Sequence, residues 1–347
     1  MNESALERLR EGLDTRPPRL WLRPAAALVR FAVGLKNLAY DAGVLHPTKV
    51  ACPVVCVGNL TIGGNGKTPF VVWLARSLER EGLRVAVVSR GFGGSAGSAP
   101  VVVSLGQGPL VSADVAGDEP FLIARKTKAA VVVGSDRARA AKVAIDRARP
   151  DLVLLDDGFS HRRLHRDLDI ILLDHARPFG NGSLLPAGPL REPRAALARA
   201  GLTVRVISSD EASDLIVDAD AEVTPVASAL TDLAGNPYPL EVLRGQTIDL
   251  LAAISRPARF AHTAEALGGA IARTRFLDDH ALVGDAHARF ELEAAETGAM
   301  VLVTEKDAAK LPAKEGPTRV LEIALRFSFG EERVLDRVRA IVGPRET

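Results

Sequence analysis

Aromatic side chains are scarce in this sequence, at 4% of 347 residues, which leaves little from which to build base-stacking platforms for single-stranded nucleic acid. Net charge is nearly absent as well. A balance of +1 excludes the broadly basic surface of a nucleic-acid-coating protein. There are only two cysteines, Cys52 and Cys56, both within the apolar run ACPVVCVGN. Their even spacing puts them on one face of a strand, too extended for an easy disulfide. Buried reduced thiols, and hence a cytosolic compartment, are the expectation. No run of about 18 uncharged apolar residues occurs, so no membrane-spanning segment is expected. Residues 1–18 are rich in Glu, Arg and Asp and lack the apolar core of a secretory signal. Internal repeats and long low-complexity tracts are missing too.

What is present is enough apolar sequence, 47%, for a sizeable core, in one large domain or two ordinary ones. Between 20 and 45, Trp21, Leu22, Ala25, Leu28, Val29, Ala32, Val33 and Leu38 recur at roughly helical spacing, with Arg19, Arg23, Arg30 and Lys36 among them. Such a basic amphipathic stretch, with Trp21 and Tyr40 near its ends, suits a helix lying on a membrane surface. It equally suits a helix packed on its own domain. From Pro53 onward, short Val/Ile/Leu runs at 54–57, 85–89, 129–133, 152–155, 170–173 and 203–207 alternate with helix-like stretches. That pattern predicts an α/β fold, a mostly parallel sheet covered by helices on both faces. Residues 208–241 turn polar and less periodic, a natural boundary. Further runs at 249–254, 300–303 and 320–323 suggest a smaller C-terminal α/β domain. The expected organisation is therefore an N-terminal membrane-associating segment (1–48), a core domain (49–208) and the C-terminal domain (209–347).

The strongest local signal is Thr61-Ile62-Gly63-Gly64-Asn65-Gly66-Lys67-Thr68, set between a strand and a helix. It matches the phosphate-binding P-loop except that Thr61 stands where glycine is usual. The glycines let backbone N–H groups turn inward on phosphates. Lys67 is placed to reach the β- and γ-phosphates, and Thr68 to offer a hydroxyl to Mg2+. The helix N-terminus favours the same anion. A second acid for magnesium is expected at a neighbouring strand end, and LVLLDDG supplies Asp156 and Asp157. An Asp-Gly turn is the structural alternative, but two adjacent acids after so apolar a run favour the metal role. No Asn-Lys-x-Asp guanine-reading motif occurs, because TEKD at 304–307 has the wrong spacing. Ile62 also stands where switch ATPases of the ParA/MinD type carry lysine. The nucleotide is thus expected to be ATP and the protein an enzyme.

Several segments together resemble the tetraacyldisaccharide 4′-kinase family, which phosphorylates a lipid A precursor. They are VGNLTIGGNGKTP (57–69), SRGFGG (89–94), GDEP (117–120), DDGFSHRRLHRDLDI (156–170), FGNGSLLPAGPLREP (179–193) and TEKDAAKL (304–311). The resemblance runs from about residue 21 onward, and 179–193 is its most specific part. It implies a P-loop kinase core, a smaller C-terminal domain and an N-terminal membrane-touching helix. It also implies ATP- and magnesium-dependent phosphorylation of the 4′-hydroxyl of an acylated glucosamine disaccharide 1-phosphate. The protein is then peripheral, on the cytoplasmic face of the inner membrane, with a glycolipid substrate, no nucleic acid and no obligate protein partner. Asp118, in GDEP, resembles the family's acid that deprotonates or orients the sugar hydroxyl, and His280 its dyad partner. Asp118 also fits the cap of a helix over 119–126. Three positions depart from the family pattern: Ser160 replaces Gln, Asp279-His280 replaces His-His, and Ala253 replaces the Gly of a Gly-Ile-x-x-Pro turn.

Arg137, in VVVGSDR, and Arg191, in PLRE, are candidates to hold nucleotide phosphates or the substrate's 1-phosphate, or to form ordinary ion pairs. Glu192 is a further candidate ligand of magnesium. His161, His165 and Asp167 match no metal cage and read as loop structure. Glu305, Lys306 and Asp307 receive no role. The rival to a kinase is a membrane-associated P-loop ATPase switch that phosphorylates no substrate.

Overall fold

The computed structural model describes residues 20–64, 66–207, 217–279, 281 and 283–343. Arg19, Asn65 and His280, all singled out above, lie outside the described residues.

In chain order the first part runs α1 (Arg23–Asp41), β1 (Val54–Gly58), α2 (Lys67–Arg80), β2 (Val85–Ser89), β3 (Val101–Leu105), α3 (Ala113–Ala116), α4 (Asp118–Lys126), β4 (Ala130–Val133), α5 (Arg137–Ala148), β5 (Leu152–Asp156), β6 (Leu168–Asp174) and β7 (Leu202–Val206). The second part adds β8 (Ala221–Thr231), β9 (Pro237–Tyr238), β10 (Thr247–Ala252), α6 (Pro257–Ala266), β11 (Ala270–Phe276), α7 (Gly284–Thr297), β12 (Met300–Thr304), α8 (Glu305–Ala308), β13 (Thr318–Phe329) and α9 (Glu331–Val342). All strands join one sheet in the order β11-β10-β12-β13-β8-β7-β6-β1-β5-β2-β4-β3, with β9 beside β8. Neighbours are parallel except at β3–β4, β8–β13 and β8–β9.

β1, β2, β4 and β5 are buried along their whole length, which is why they read as unbroken apolar runs rather than alternating ones. β11 was not legible in that way, because it lies at a sheet edge with no residue fully buried and carries Arg273, Thr274 and Arg275 among its apolar residues. Part of 208–241, read from composition as a polar boundary, forms β8. Its residues are mostly half-buried, and its partner β13, with residues from 318 to 329, supplies the pairing that its own composition does not announce.

β1 lies between β5 and β6. The turns leaving the C-terminal ends of β1 and β5 therefore meet at one edge, where ligands bind in open α/β sheets. Behind this edge α2 buries Phe70, Val71, Leu74, Ala75 and Leu78. The chain's end returns to the same core, since Val334, Leu335 and Val338 of α9 pack there. Three of the few aromatic rings meet here. The Trp73 ring stands 5.1 Å from Phe70 and 4.4 Å from Phe327 of β13.

Candidate active site

The loop after β1 ends at Gly66, whose φ of 74° is the left-handed conformation that glycine adopts without steric cost. From there α2 begins at Lys67, two residues before Pro69. Thr61 needs no such freedom. It is not among the positive-φ residues, and it is pinned from the other side by a bridge to Leu190. The Ile62 N–H donates to Pro189 O at 2.8 Å, and the Arg191 N–H to Leu60 O at 2.8 Å. The family-specific segment 179–193 thus closes as a third wall on the phosphate loop. A fourth contact comes from beyond residue 208, because a Cβ on Gly64 would meet Ser255 Oγ at 2.6 Å.

The paired acids follow β5 as expected and differ sharply from each other. Asp156 is buried, and its Oδ2 accepts from Ser89 Oγ at 3.0 Å. Its Oδ1 is buried with no hydrogen-bond partner. Burial first, then the Glu119 and Asp157 carboxylates, push the Asp156 carboxyl up to about 7. Asp157 sits at φ 51°, a conformation that side chains bearing a Cβ seldom adopt and that clusters at functional sites. Two cations hold it there, Arg191 Nη1 at 2.9 Å and Lys67 Nζ at 3.7 Å. Burial alone would raise its proton affinity, but Lys67 and Arg191 outweigh that and keep it below the usual carboxylate range.

Mg2+ fits this arrangement. A buried, unsatisfied carboxylate oxygen beside a second acid is a place where a cation relieves both desolvation and repulsion. Among the described residues no cluster of three or more His, Cys, Asp or Glu could cage a metal by itself. Magnesium needs none, since it commonly uses one or two carboxylates and completes its shell with water and phosphate oxygens. Thr68, buried at the first turn of α2, has the hydroxyl for this.

The remaining candidates divide. Arg137 is buried at the start of α5, where Asp136 caps the helix by accepting from the Ala138 and Arg139 N–H groups. Its Nη1 donates to Ser135 O at 2.8 Å, while its Nε is buried without a partner. Burial and then Arg90 lower its proton affinity, as for a guanidinium lacking its anion. Arg191 donates to Asp157, to Asn59 Oδ1 at 3.2 Å and to Thr61 O at 3.3 Å, so it braces the loop and the acids together. Glu192 faces a different set of groups. It is fully buried, 2.7 Å from Asn37 Nδ2, 3.2 Å from Lys36 Nζ and 3.5 Å from Arg199 Nη2. It fastens α1 to the core, and a place on magnesium requires it to exchange one of these partners.

Asp118 is 2% exposed and is the first residue of α4, with Gly117 as the N-cap. Its Oδ1 accepts from the Glu119 N–H at 2.9 Å, so the side chain also serves the helix N-terminus. Gly94 and Gly117 explain the neighbouring motifs, because a Cβ on either would come within 2.6 Å of the other segment's backbone. Glu119 lies in electrostatic reach of Lys67 and of Asp156, so the GDEP turn opens onto the phosphate loop. Sequence reasoning missed the cations that meet this turn: Lys306 lies 2.5 Å from Glu119, and Lys310 Nζ lies 3.4 Å from Asp118 Oδ2. The family motif around them was the only signal that could have found them.

His161, read as loop structure, is a neutral imidazole, pushed down to about 4 by burial and by Arg137. Tyr40, half-buried at the end of α1, carries the Arg162 guanidinium 4.9 Å from its ring centroid.

The sequence profile of tetraacyldisaccharide-1-P 4′-kinase matches residues 18–342. The chain belongs to this family. Among its relatives, the tetraacyldisaccharide 4′-kinase of Anaeromyxobacter dehalogenans is 41% identical over 305 residues, 83% of this chain and 79% of that one. That of Syntrophotalea carbinolica is 39% identical over 324 residues, 91% of this chain and 90% of that one. A crystal structure of LpxK from Aquifex aeolicus in complex with ATP superimposes with a TM-score of 0.79 at 29% identity, covering 93% of this chain and 98% of the other. That structure thus shares the architecture over 93% of the chain, including most of the part after residue 208.

Proposed function

We infer that the protein transfers the γ-phosphoryl group of ATP to the 4′-hydroxyl of a tetraacyl glucosamine disaccharide 1-phosphate, in lipid A biosynthesis. The observation that carries this reading is the kinase family's match over 18–342 on a chain whose family-specific segment closes on the phosphate loop. The switch alternative is not favoured, because the family it belongs to acts on a sugar lipid.

In this reading the loop residues Thr61, Ile62, Gly63, Gly64, Asn65 and Gly66 surround the phosphates with backbone N–H groups. Lys67 leaves Asp157 for the β- and γ-phosphates, and Arg137 and Arg191 add positive charge where negative charge builds in the transition state. Thr68, Asp156 and Asp157 hold magnesium, with Glu192 as a further ligand if it gives up Lys36. Magnesium, when bound, neutralises charge on the transferring phosphoryl group. Asp118 accepts the proton of the 4′-hydroxyl as its oxygen forms a bond to the γ-phosphorus and the bond to the β–γ bridging oxygen breaks. His280 orients or strengthens that base. Residues 49–208 act as the kinase core, and 209–347 supply the lobe that meets it at Gly64 and Asp118.

The protein is placed peripherally, on the cytoplasmic face of the inner membrane. Leu28, Phe31, Leu35 and Leu38 are all exposed on α1, and their 3-4-3 spacing puts them on one face. Of the residues on α1 only Ala26 is buried, and Val29 packs partly against the core, so self-packing leaves most of this stripe uncovered. Among the described residues no helix is long and apolar enough to cross a membrane.

Incubation with γ-labelled ATP, Mg2+ and a tetraacyl disaccharide 1-phosphate, followed by identification of the labelled position, tests the reading. Label at the 4′-oxygen is expected. ATP consumption that neither requires nor labels the disaccharide would overturn it.

A further inference from the structure

TEKDAAKL, residues 304–311, is the family segment that phosphate chemistry leaves without a role. In the structure its polar side chains reach different elements. The Thr304 side chain accepts from the Asp307 N–H and caps α8. Glu305 pairs with Lys126 at the far end of α4. Lys306 meets Glu119 in the first turn of α4. Asp307, fully buried, accepts from the Ala253 N–H at 3.2 Å and from Thr304 Oγ1 at 2.6 Å. Lys310 stands beside Asp118 and donates to Ala281 O at 3.1 Å.

We propose that α8 together with the turn that follows it, as far as Lys310, is a bracket that positions Asp118 for phosphoryl transfer, with Lys306 and Lys310 as its positioning residues; this rests on the kinase reading above. Three parts of the site meet on it: the acidic turn of α4, the loop after β10 that brings Ser255 against Gly64, and the backbone beside His280 in sequence. Lys306 is half-buried, with Glu119, Asp118 and Asp279 as its acidic neighbours, whose charges outweigh desolvation and hold it protonated. Glu119 is held ionised in turn, since Lys306 and Lys67 outweigh its own burial. A half-buried pair at this distance has few alternative arrangements, because separating it leaves both charges short of water as well as of a partner. Asp118 adjoins Glu119 in the chain, so fixing one fixes the turn that carries the other. Misplacing a reacting group by about 1 Å costs up to about 10²-fold in rate.

The full-length variants Lys306→Met, Lys306→Arg and Glu119→Gln, and the double variant Lys306→Met/Glu119→Gln, are assayed with labelled ATP and tetraacyl disaccharide 1-phosphate, alongside thermal melts. Lys306→Met should lower kcat about 10- to 100-fold while KM for ATP stays within about threefold. Lys306→Arg should recover most of kcat. The double variant should be no worse than the poorer single one, since both remove the same tie. Lys314→Met, which breaks a surface pair with Glu291, should leave kcat unchanged. A folded Lys306→Met enzyme with wild-type kcat, equal losses in the Met and Arg variants, or multiplicative losses in the double variant would each overturn the bracket. If Lys306→Met does not fold, the nearly isosteric Glu119→Gln decides by the same kcat criterion. A wild-type protein inactive on the disaccharide overturns the kinase reading and the bracket with it, whereas an active wild type with indifferent variants overturns the bracket alone.

Discussion

Asp156 and Asp157 are adjacent in sequence, yet the fold gives them opposite charge environments, and this decides how each should respond to substitution. Asp157 has Lys67 and Arg191 beside it. Asp156 has a buried oxygen with no partner and a carboxyl raised from its ordinary 3.8 to about 7. Folding without ligand therefore favours the neutral acid. The sign follows from linkage: its contribution to stability is fully present below about pH 4 and is lost as pH rises through about 7. Asp156→Asn should melt within error of wild type near pH 4 and a few degrees higher at pH 8, while losing turnover by about 10²-fold or more. Melting curves at both pH values, with turnover measured in parallel, check this, and a variant less stable than wild type at pH 8 would contradict it. Lys67→Ala should also fold, and should lose about 10²- to 10³-fold in kcat through the missing phosphate contact. Near-normal turnover in a folded Lys67→Ala protein would remove the phosphate role. The lysine, the threonine and both acids were legible in the sequence, because a P-loop and an acidic strand end are local patterns. The difference between the acids was not, since Ser89, Glu119, Lys67 and Arg191 come from four other segments.

At the scale of elements, α1 is fastened by its polar side and leaves its apolar side outward. Lys36 and Asn37 hold the buried Glu192, and Asp41 pairs with Arg162 at 2.7 Å. Phe31, 69% exposed, lies at the middle of the outward stripe. Burying such a side chain in an apolar medium is worth about 1.5–3 kcal/mol. Phe31→Glu combined with Leu35→Glu should therefore abolish sedimentation with anionic vesicles while leaving the thermal midpoint unchanged. Binding by the wild type should weaken as salt rises, through Arg23 and Arg30. Equal sedimentation of variant and wild type would remove the membrane role from this face. Periodicity identified this helix but left its partner open. Glu192, more than 150 residues away, decides which face turns inward.

Across the whole molecule, the parts before and after residue 208 form one sheet and are joined again by charge around the site. Asp174, at the end of β6, receives Arg256 at 2.5 Å and Arg259 at 2.6 Å from the N-terminal end of α6. Burial opposes its charge, but the two guanidinium groups outweigh it and bring the carboxyl down to about 2. A depressed acid stabilises the fold above its ordinary value near 3.8 and stops doing so as pH falls toward 2. Asp174→Asn should cost about 2 kcal/mol at pH 7, and the difference from wild type should shrink near pH 2. Urea denaturation at the two pH values measures it. An equal penalty at both would mean that the loss is one of packing or hydrogen bonding rather than of charge.

The α/β class, the glycine-rich loop, the acids after β5 and the family could all be read from the chain alone, because each is written in contiguous residues whose spacing or identity carries the physics. Runs such as 54–57 and 152–155 announced strands because both their faces are buried. β8 and β11 went unread, since a half-buried strand and an edge strand keep polar residues. The meeting of β8 with β13, of 179–193 with Thr61 and Ile62, and of Lys306 with Glu119 is visible only in the folded molecule. Those contacts unite segments tens to hundreds of residues apart. The chain can specify such a meeting only by completing the sheet and core that bring them together.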